Sequence, residues 1–210
     1  MRLLIIGATG GTGRELVEQA LERGHQVTAF VRTPARLRLA HERLTVVRGD
    51  VLDRSSVEAA VRGHDAVLSA LGHKRWFYPT RILSAGTANI LGAMEACGVR
   101  RFVCETSLGL GESCGRMGLY YTLFVIPVIL PLYYWDKRRQ ERLIRASRLD
   151  WVIVRPGVLT NGRRRGVYEH GPKVGHWLWT VRISRTDAAD FMLSQMTSDR
   201  YLRSAPGVCW

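Results

Sequence analysis

The sequence predicts an α/β fold in which helices cover both faces of a parallel sheet. Short apolar runs alternate with amphipathic stretches, and those runs are nearly continuous rather than alternating with polar residues. A glycine-rich loop joins the first run to the first helical pattern. The length of 210 residues suits one domain, and we find no linker or repeat. We therefore expect a single domain over residues 1–210.

Six short runs rich in Val, Leu and Ile are predicted to be strands, because they are too short for independent helices. In chain order they are residues 3–6, 27–31, 44–48, 66–70, 101–105 and 151–155.

Five amphipathic stretches between these runs are predicted to be helices. They cover residues 14–23, 55–62, 83–97, 136–147 and 186–196. A glycine, the usual residue after a helix end, follows the first three.

Two long stretches interrupt the alternation, at residues 107–135 and 160–182. Both follow predicted strands, at the sheet edge where α/β proteins bind ligands. The first is predicted to be a long connection, and it contains the apolar segment 118–135, "GLYYTLFVIPVILPLYYW". Long connections in compact domains are usually functional or mobile.

The loop "GATGGTG" over residues 7–13 carries glycines at the spacing G-x-x-G-x-x-G. Gly7 allows the strand to turn sharply, Gly10 and Gly11 let backbone approach a phosphate, and Gly13 allows close helix packing. The helix N-terminus then offers free N–H groups to a pyrophosphate. The loop therefore predicts dinucleotide binding, and it is not a P-loop because no Lys-Ser/Thr pair follows. The predicted contacts are Gly7, Ala8, Thr9, Gly10, Gly11, Thr12 and Gly13.

The second predicted strand ends at an arginine rather than at the acidic residue typical of NAD sites. Arg32 and Arg36 suit a 2′-phosphate, so NADP(H) is favoured over NAD(H), although both could simply solvate a helix end. Asp50, with the Val51 backbone beside it, is placed to accept a hydrogen bond from adenine. Residues 69–72 end the fourth strand near the middle of the cofactor.

Seven segments found in order give the sequence a specific family resemblance: "GATGGTG", "FVRTPARL", "GDVLD", "DAVLSALG", "TANILGAMEACGVRRFVCETS", "DKRRQERLIRASRLDWVIVRPG" and "ISRTDAADFML". Together they resemble the atypical short-chain dehydrogenase/reductases, in the branch of the NmrA-like proteins and biliverdin reductase B (flavin reductase). The resemblance covers essentially the whole chain. It implies a Rossmann-type doubly wound sheet that holds NADP(H) in an extended cleft.

The resemblance also implies cofactor contacts beyond the glycine loop. They are Arg32, Arg36, Asp50, Val51, Leu71, Gly72, Thr106, Ser107, Pro156, Gly157, Val158 and Leu159. Lys137 and Val158 stand where biliverdin reductase B has its two active-site histidines. That departure leaves the substrate open.

Tyr133, Lys137 and Ser107 have the spacing of the Ser and Tyr-x-x-x-Lys triad of the wider superfamily, in which the tyrosine donates a proton. Because Pro131 precedes it, Tyr133 could instead lie in a loop. Lys137 could act alone as a contact to the cofactor. It could also form a solvated pair with Glu141.

The predicted function is hydride transfer from NADPH to a flavin, a quinone or a similar flat acceptor, under an apolar cover from residues 118–135 with Trp177 and Trp179 opposite. Such a reaction mainly needs stacked rings and excluded water. The alternative is a non-catalytic NADP(H) sensor of the NmrA type. The short chain favours the enzyme.

The net charge of +13 favours anionic partners without naming them. Nucleic acid is disfavoured because no known binding module is visible. Two prolines and many aromatic residues argue against a membrane span at 118–135, whereas peripheral contact helped by Arg138, Arg139 and Arg142 stays open.

The four cysteines form no C-x-x-C pair, so the sequence suggests neither a metal site nor a disulfide framework. Residues 1–3 lead straight into a strand, which predicts no signal peptide. We therefore expect a cytoplasmic protein.

Overall fold

The computed structural model describes residues 1–73 and 78–210. Within them the strands are β1 (Arg2–Ile6), β2 (Gln26–Val31), β3 (Leu44–Arg48), β4 (Ala66–Ser69), β5 (Arg101–Glu105), β6 (Asp150–Pro156), β7 (Val158–Thr160), β8 (Glu169–Gly171), β9 (Arg182–Ser184) and β10 (Gly207–Cys209). The α-helices are α1 (Gly11–Glu22), α2 (Arg54–Val61), α3 (Ile82–Cys97), α4 (Pro131–Ala146) and α5 (Arg185–Ser194).

Eight strands form one sheet in the order β3-β2-β1-β4-β5-β6-β10-β8, and only the pairing of β8 with β10 is antiparallel within the described chain. Strands β7 and β9 form a separate parallel pair. The chain order reverses between β1 and β4, and this reversal opens a crevice at the carboxyl ends of the strands. The predicted Rossmann-type doubly wound fold is confirmed.

Helices bury both faces of the sheet. Leu3 and Ile5 of β1 pack on the side of α1 and α5, whereas Leu4 and Ile6 pack on the side of α2, α3 and α4. All four side chains are at most 1% exposed. Because successive residues of a strand point to opposite faces, a strand covered on both sides must be apolar throughout, which explains the continuous apolar runs.

Helix α4 begins at Pro131, five residues before the predicted start at 136. Proline is tolerated in the first turn, where a backbone N–H has no partner within the helix, so Tyr133 lies on the helix and not in a loop. Residues 107–135 also contain more secondary structure than the predicted long connection. They contain a 3₁₀ turn at Gly111–Ser113 and a wide, π-type helical segment at Tyr121–Ile129 with Pro127 inside it.

Four three-residue strands, β7 to β10, were not predicted, and β8 lies in the stretch 160–182. Strands this short show no recognisable periodicity. Among the described residues, no helix combines the length and the apolar character needed to cross a bilayer.

Candidate functional site

A cleft of about 1610 Å³ runs along the carboxyl ends of β1, β2, β4, β5 and β6. It extends from the glycine loop and the turn after β2 to the wide helical segment and the start of α4. Most of the predicted site residues line it, namely Gly7, Thr9, Gly10, Gly11, Thr12, Arg32, Arg36, Val51, Leu71, Gly72, Thr106, Ser107, Tyr133, Lys137, Pro156, Gly157, Val158 and Leu159.

The glycine loop is built so tightly that side chains would not fit. Gly7 has a φ of +85°, and a Cβ there would lie 2.5 Å from the carbonyl oxygen of Ala70. A Cβ on Gly13 would overlap the carbonyl of Gly7, to which the Gly10 N–H already donates at 2.9 Å. The loop thus presses the N-terminus of α1 against the end of β1. Gly10 caps that helix without a side-chain hydrogen bond within the described chain, which leaves N–H groups facing the cleft for an anion.

Cations dominate the described walls of the cleft. Glu105 is the one carboxylate among the lining residues that the structure describes, against six Lys and Arg side chains: Arg14, Arg32, Arg36, Arg38, Lys137 and Arg185. At the end beyond β2, an Nη of Arg14 donates to the carbonyl of Arg36 at 2.7 Å and so ties the turn at 34–36 to α1. This geometry suits a polyphosphate ligand with a further phosphate beside Arg32 and Arg36.

At the other end, Lys137 and the hydroxyl groups after β5 come together. Lys137 is 3% exposed, and its Nζ donates to the carbonyl of Thr106 at 2.9 Å. The Ser107 and Tyr134 hydroxyls are 2.8 Å apart, and Tyr134 also donates to the carbonyl of Leu108 at 3.1 Å. Burial raises the pKa of Tyr134 to about 12, against the lowering effect of the Ser107 hydrogen bond.

Tyr133, the tyrosine predicted to be catalytic, lies in the cleft but does not bond to Ser107. Its hydroxyl is 3.8 Å from the position that a Cβ on Gly72 would take. Its ring meets His73 edge-on at a centroid distance of 5.0 Å, and Lys137 Nζ lies 5.2 Å from the ring centroid. The three predicted residues therefore share one end of the cleft, while Ser107 is paired with the neighbouring tyrosine.

Buried polar groups hold α4 in this position. Asp136 accepts from the backbone N–H groups of Leu83 and Ser84, at 2.9 and 3.2 Å, so it caps the start of α3. Glu141 pairs with Arg155 through bonds of 2.9 and 2.5 Å.

The interpretation of Lys137 and Glu141 as a solvated pair is wrong, because the two residues are only 3% and 5% exposed. They lie on the inner face of the helix. Charged side chains are usually expected on the solvent-facing side of a helix, which is why the sequence predicts a solvated pair.

Two residues of the cleft were missed from the sequence. Glu105, at the end of β5, accepts from the Thr12 hydroxyl at 3.0 Å. Burial raises its pKa, and nearby Lys137, the Thr12 hydrogen bond and Arg185 oppose that shift. Arg185 lies over Gly11, where it would overlap a Cβ, and donates to the side chain of Asn161 at 2.5 Å. An acidic residue at the end of an otherwise apolar strand is the sequence signal that could have identified Glu105 as a site residue.

Three predicted cofactor residues do not line the cleft. Ala8 and Gly13 are buried behind the loop. Asp50 accepts from the backbone N–H of Leu52 at 3.0 Å and thereby forms its own turn, while Val51 and Leu52 face the cleft. The structure brings the backbone beside Asp50 to the site rather than its carboxylate.

Residues 7–199 match the profile of the NAD(P)H-binding family. An uncharacterised chloroplastic protein of Arabidopsis thaliana is 32% identical over 173 residues, which cover 76% of this chain and 60% of that protein. A 3-diazoavenalumate denitrifying reductase of Streptomyces sp is 36% identical over 181 residues, which cover 76% of this chain and 56% of that enzyme. The chain thus spans little more than half the length of these relatives.

Solved structures share the fold. The oxidoreductase ylbE of Lactococcus lactis has a TM-score of 0.84 at 19% identity, over 99% of this chain and 90% of that one. A short-chain dehydrogenase/reductase of Veillonella parvula in complex with NADP scores 0.79 at 21% identity, over 99% and 93%. The anaerobillin reductase ChuY of Escherichia coli O157:H7 scores 0.80 at 23% identity, over 99% and 96%.

Proposed function

The chain belongs to the NAD(P)H-binding family, and we propose that it is an NADPH-dependent reductase that passes hydride to a flavin, a quinone or a similar flat acceptor. The observation that carries this proposal is the two-ended cleft. One end is cationic, with arginines and no carboxylate among its described lining residues, and the other has an apolar wall beside a buried amine.

The cationic end would hold the phosphates of NADP(H). The N-terminus of α1 would bind the pyrophosphate, because Gly10 and Gly11 line the cleft there and carry no side chain that would keep a phosphate from the backbone N–H groups. Arg32 and Arg36 would bind the 2′-phosphate, since no described acid lines that end to accept from a ribose diol. When bound, the cofactor supplies the hydride from its nicotinamide ring.

The apolar end would hold the acceptor and exclude water. Tyr121, Val125 and Ile129 line this end at a spacing of four residues, so one face of the helical segment forms a wall. Lys137 and Tyr133 also line the cleft, and their ammonium and hydroxyl groups are proton donors. Reduction of a quinone takes up a proton with the hydride, and either group can supply it. The Streptomyces relative and ChuY, both named reductases, are compatible with this assignment.

The second candidate is a protein that binds NADP(H) without turnover and signals through a partner. The observation in its favour is the pairing of Ser107 with Tyr134. A tyrosine whose pKa is raised to about 12 is a poor proton donor, and Tyr133 has no hydrogen bond to Ser107 to orient it.

The deciding experiment follows NADPH oxidation at 340 nm with FMN, riboflavin and small quinones, with NADH in parallel. Turnover that prefers NADPH supports the reductase. Tight NADPH binding without turnover supports the sensor, and failure to bind either nucleotide refutes both. Val125→Asp, inside the cleft, should abolish turnover. The matched Val128→Asp, on a side chain that is 61% exposed, should leave turnover with soluble acceptors unchanged.

A further inference from the structure

Large apolar side chains are exposed together on one surface of the protein. The described chain exposes sixteen such side chains, and nine of them fall within residues 119–135 and 177–179. We call these nine the outer patch: Leu119, Tyr120, Leu123, Phe124, Val128, Trp135, Trp177, Leu178 and Trp179. Exposed apolar clusters of this size usually mark an interaction site.

The backbone joins the two parts of the outer patch. The N–H of Gly118 donates to the carbonyl of His176 at 2.8 Å, and the N–H of Leu119 donates to the carbonyl of Leu178 at 3.2 Å. The ring of His176 accepts the N–H groups of Leu178 and Trp179, each at 3.0 Å. This turn holds Trp177 and Trp179 outward, at 65% and 68% exposure.

Core packing does not account for the outer patch. The wide helical segment turns Tyr121, Val125 and Ile129 into the cleft and leaves Phe124 and Val128 in solvent. It is therefore apolar on both faces. Residues 118–135 contain no charged side chain at all.

Cations without exposed acids follow the outer patch on α4. Arg138 and Arg142 are exposed, and Arg139 stacks on Trp135 with its guanidinium 4.7 Å from the ring. The acids of the same stretch, Asp136 and Glu141, are turned inward. Lipid-facing helices combine aromatic and aliphatic side chains with flanking arginines in this way.

We propose that the outer patch inserts shallowly into an anionic membrane surface, with Arg138 and Arg142 on the lipid phosphates. This goes beyond the proposed reductase function and does not depend on it. Two kinds of partner could cover the outer patch, a lipid surface or a second copy of the chain, and charge favours the lipid surface. The exposed side of α4 carries no carboxylate that a second copy could offer to Arg138 and Arg142, whereas an anionic surface neutralises them.

The test is co-sedimentation of the protein with vesicles of phosphatidylcholine alone and of an equal mixture with phosphatidylglycerol. We expect binding to the mixed vesicles. Substitution of Arg138 and Arg142 together by Gln should weaken it roughly 30-fold, at about fivefold per charge near the surface. The double variant Trp177→Ser/Trp179→Ser should weaken it at least about tenfold. Arg148→Gln, near the amino end of β6, controls for the loss of an exposed charge, and Leu202→Ser, at the amino ends of β5 and β6, controls for the loss of an exposed apolar side chain.

NADPH titration verifies that each variant is folded. Wild-type protein that stays in the supernatant with both vesicle types overturns the proposal. So does equal weakening in the control variants. If light scattering instead shows a dimer that Trp177→Ser/Trp179→Ser dissociates, and vesicle binding is absent, the outer patch pairs two copies and the lipid proposal is wrong.

Discussion

Replacement of Arg32 by Glu tests the assignment of the 2′-phosphate site. Arg32 directly follows β2, is exposed, and belongs to none of the ion pairs found within residues 1–73 and 78–210. Its guanidinium is therefore available to a ligand. A charge-assisted hydrogen bond contributes about 2 kcal/mol, and a carboxylate beside a phosphate adds about 1 kcal/mol of repulsion in a solvated site.

The sum of about 3 kcal/mol corresponds to a roughly 150-fold increase in the Kd for NADPH. NADH lacks the 2′-phosphate, so its Kd should change by less than about threefold. Calorimetric titration with both nucleotides measures the two values.

Arg148→Glu is the control, because it makes the same change in net charge near the amino end of β6, whereas the cleft lies at the carboxyl ends of the strands. Equal losses for NADPH and NADH would remove Arg32 from the 2′-phosphate role. Equal losses in the control would assign the effect to the overall charge.

Three further predictions concern the loop, the buried acid and the two tyrosines. Gly13→Ala should lower the free energy of unfolding by at least about 2 kcal/mol, because the new methyl group overlaps a loop carbonyl. Gly92→Ala in α3, where the nearest atom is 4.0 Å away, should raise it by about 0.5–1 kcal/mol; urea unfolding of both variants compares them. Burial holds the pKa of Glu105 above 4.5, so the folded state retains a proton that the unfolded chain loses, and wild-type stability falls as the pH rises past 4.5. The Tm of Glu105→Gln minus the Tm of the wild type should therefore increase as the pH rises above 4.5. A difference in Tm that does not change with pH would contradict the raised pKa. Tyr133→Phe should lower kcat at least about tenfold with an unchanged Kd for NADPH, whereas Tyr134→Phe should cost about 1–2 kcal/mol of stability and little rate. The reverse pattern in steady-state kinetics and unfolding would assign the proton to Tyr134.

The sequence predicts the central strands and the glycine loop at residues 7–13 well because strong local rules apply there. Strand 101–105 has the predicted boundaries, since an apolar strand buried on both faces tolerates little else. Strand 44–48 has them too, although its side chains are half-buried or exposed. The glycine loop is equally easy to predict, because a side chain at Gly7 or Gly13 would overlap neighbouring backbone atoms.

The part of the cleft built by α4 is harder to predict because its interactions are long-range. Helix α4 carries Asp136 and Glu141 inward, to partners on α3 and β6 that no local pattern reveals. The choice of Tyr134 over Tyr133 as the partner of Ser107 depends on the rotation of α4. The buried bonds of Asp136 and Glu141 fix that rotation. The four-residue spacing from Lys137 does not contain this information, and it therefore predicts Tyr133 instead.

The position of β10 has a consequence for synthesis on the ribosome. Residues 207–209 lie between β6 and β8, so β8 has no sheet neighbour within the described chain until they emerge. By residue 156 the six strands β1 to β6 have been made. The described lining of the cleft ends at Arg185, so the nascent chain has made the cleft residues while β6 still presents an open sheet edge. Such an edge is a site for misplaced pairing, and pairing of β10 with β6 closes it.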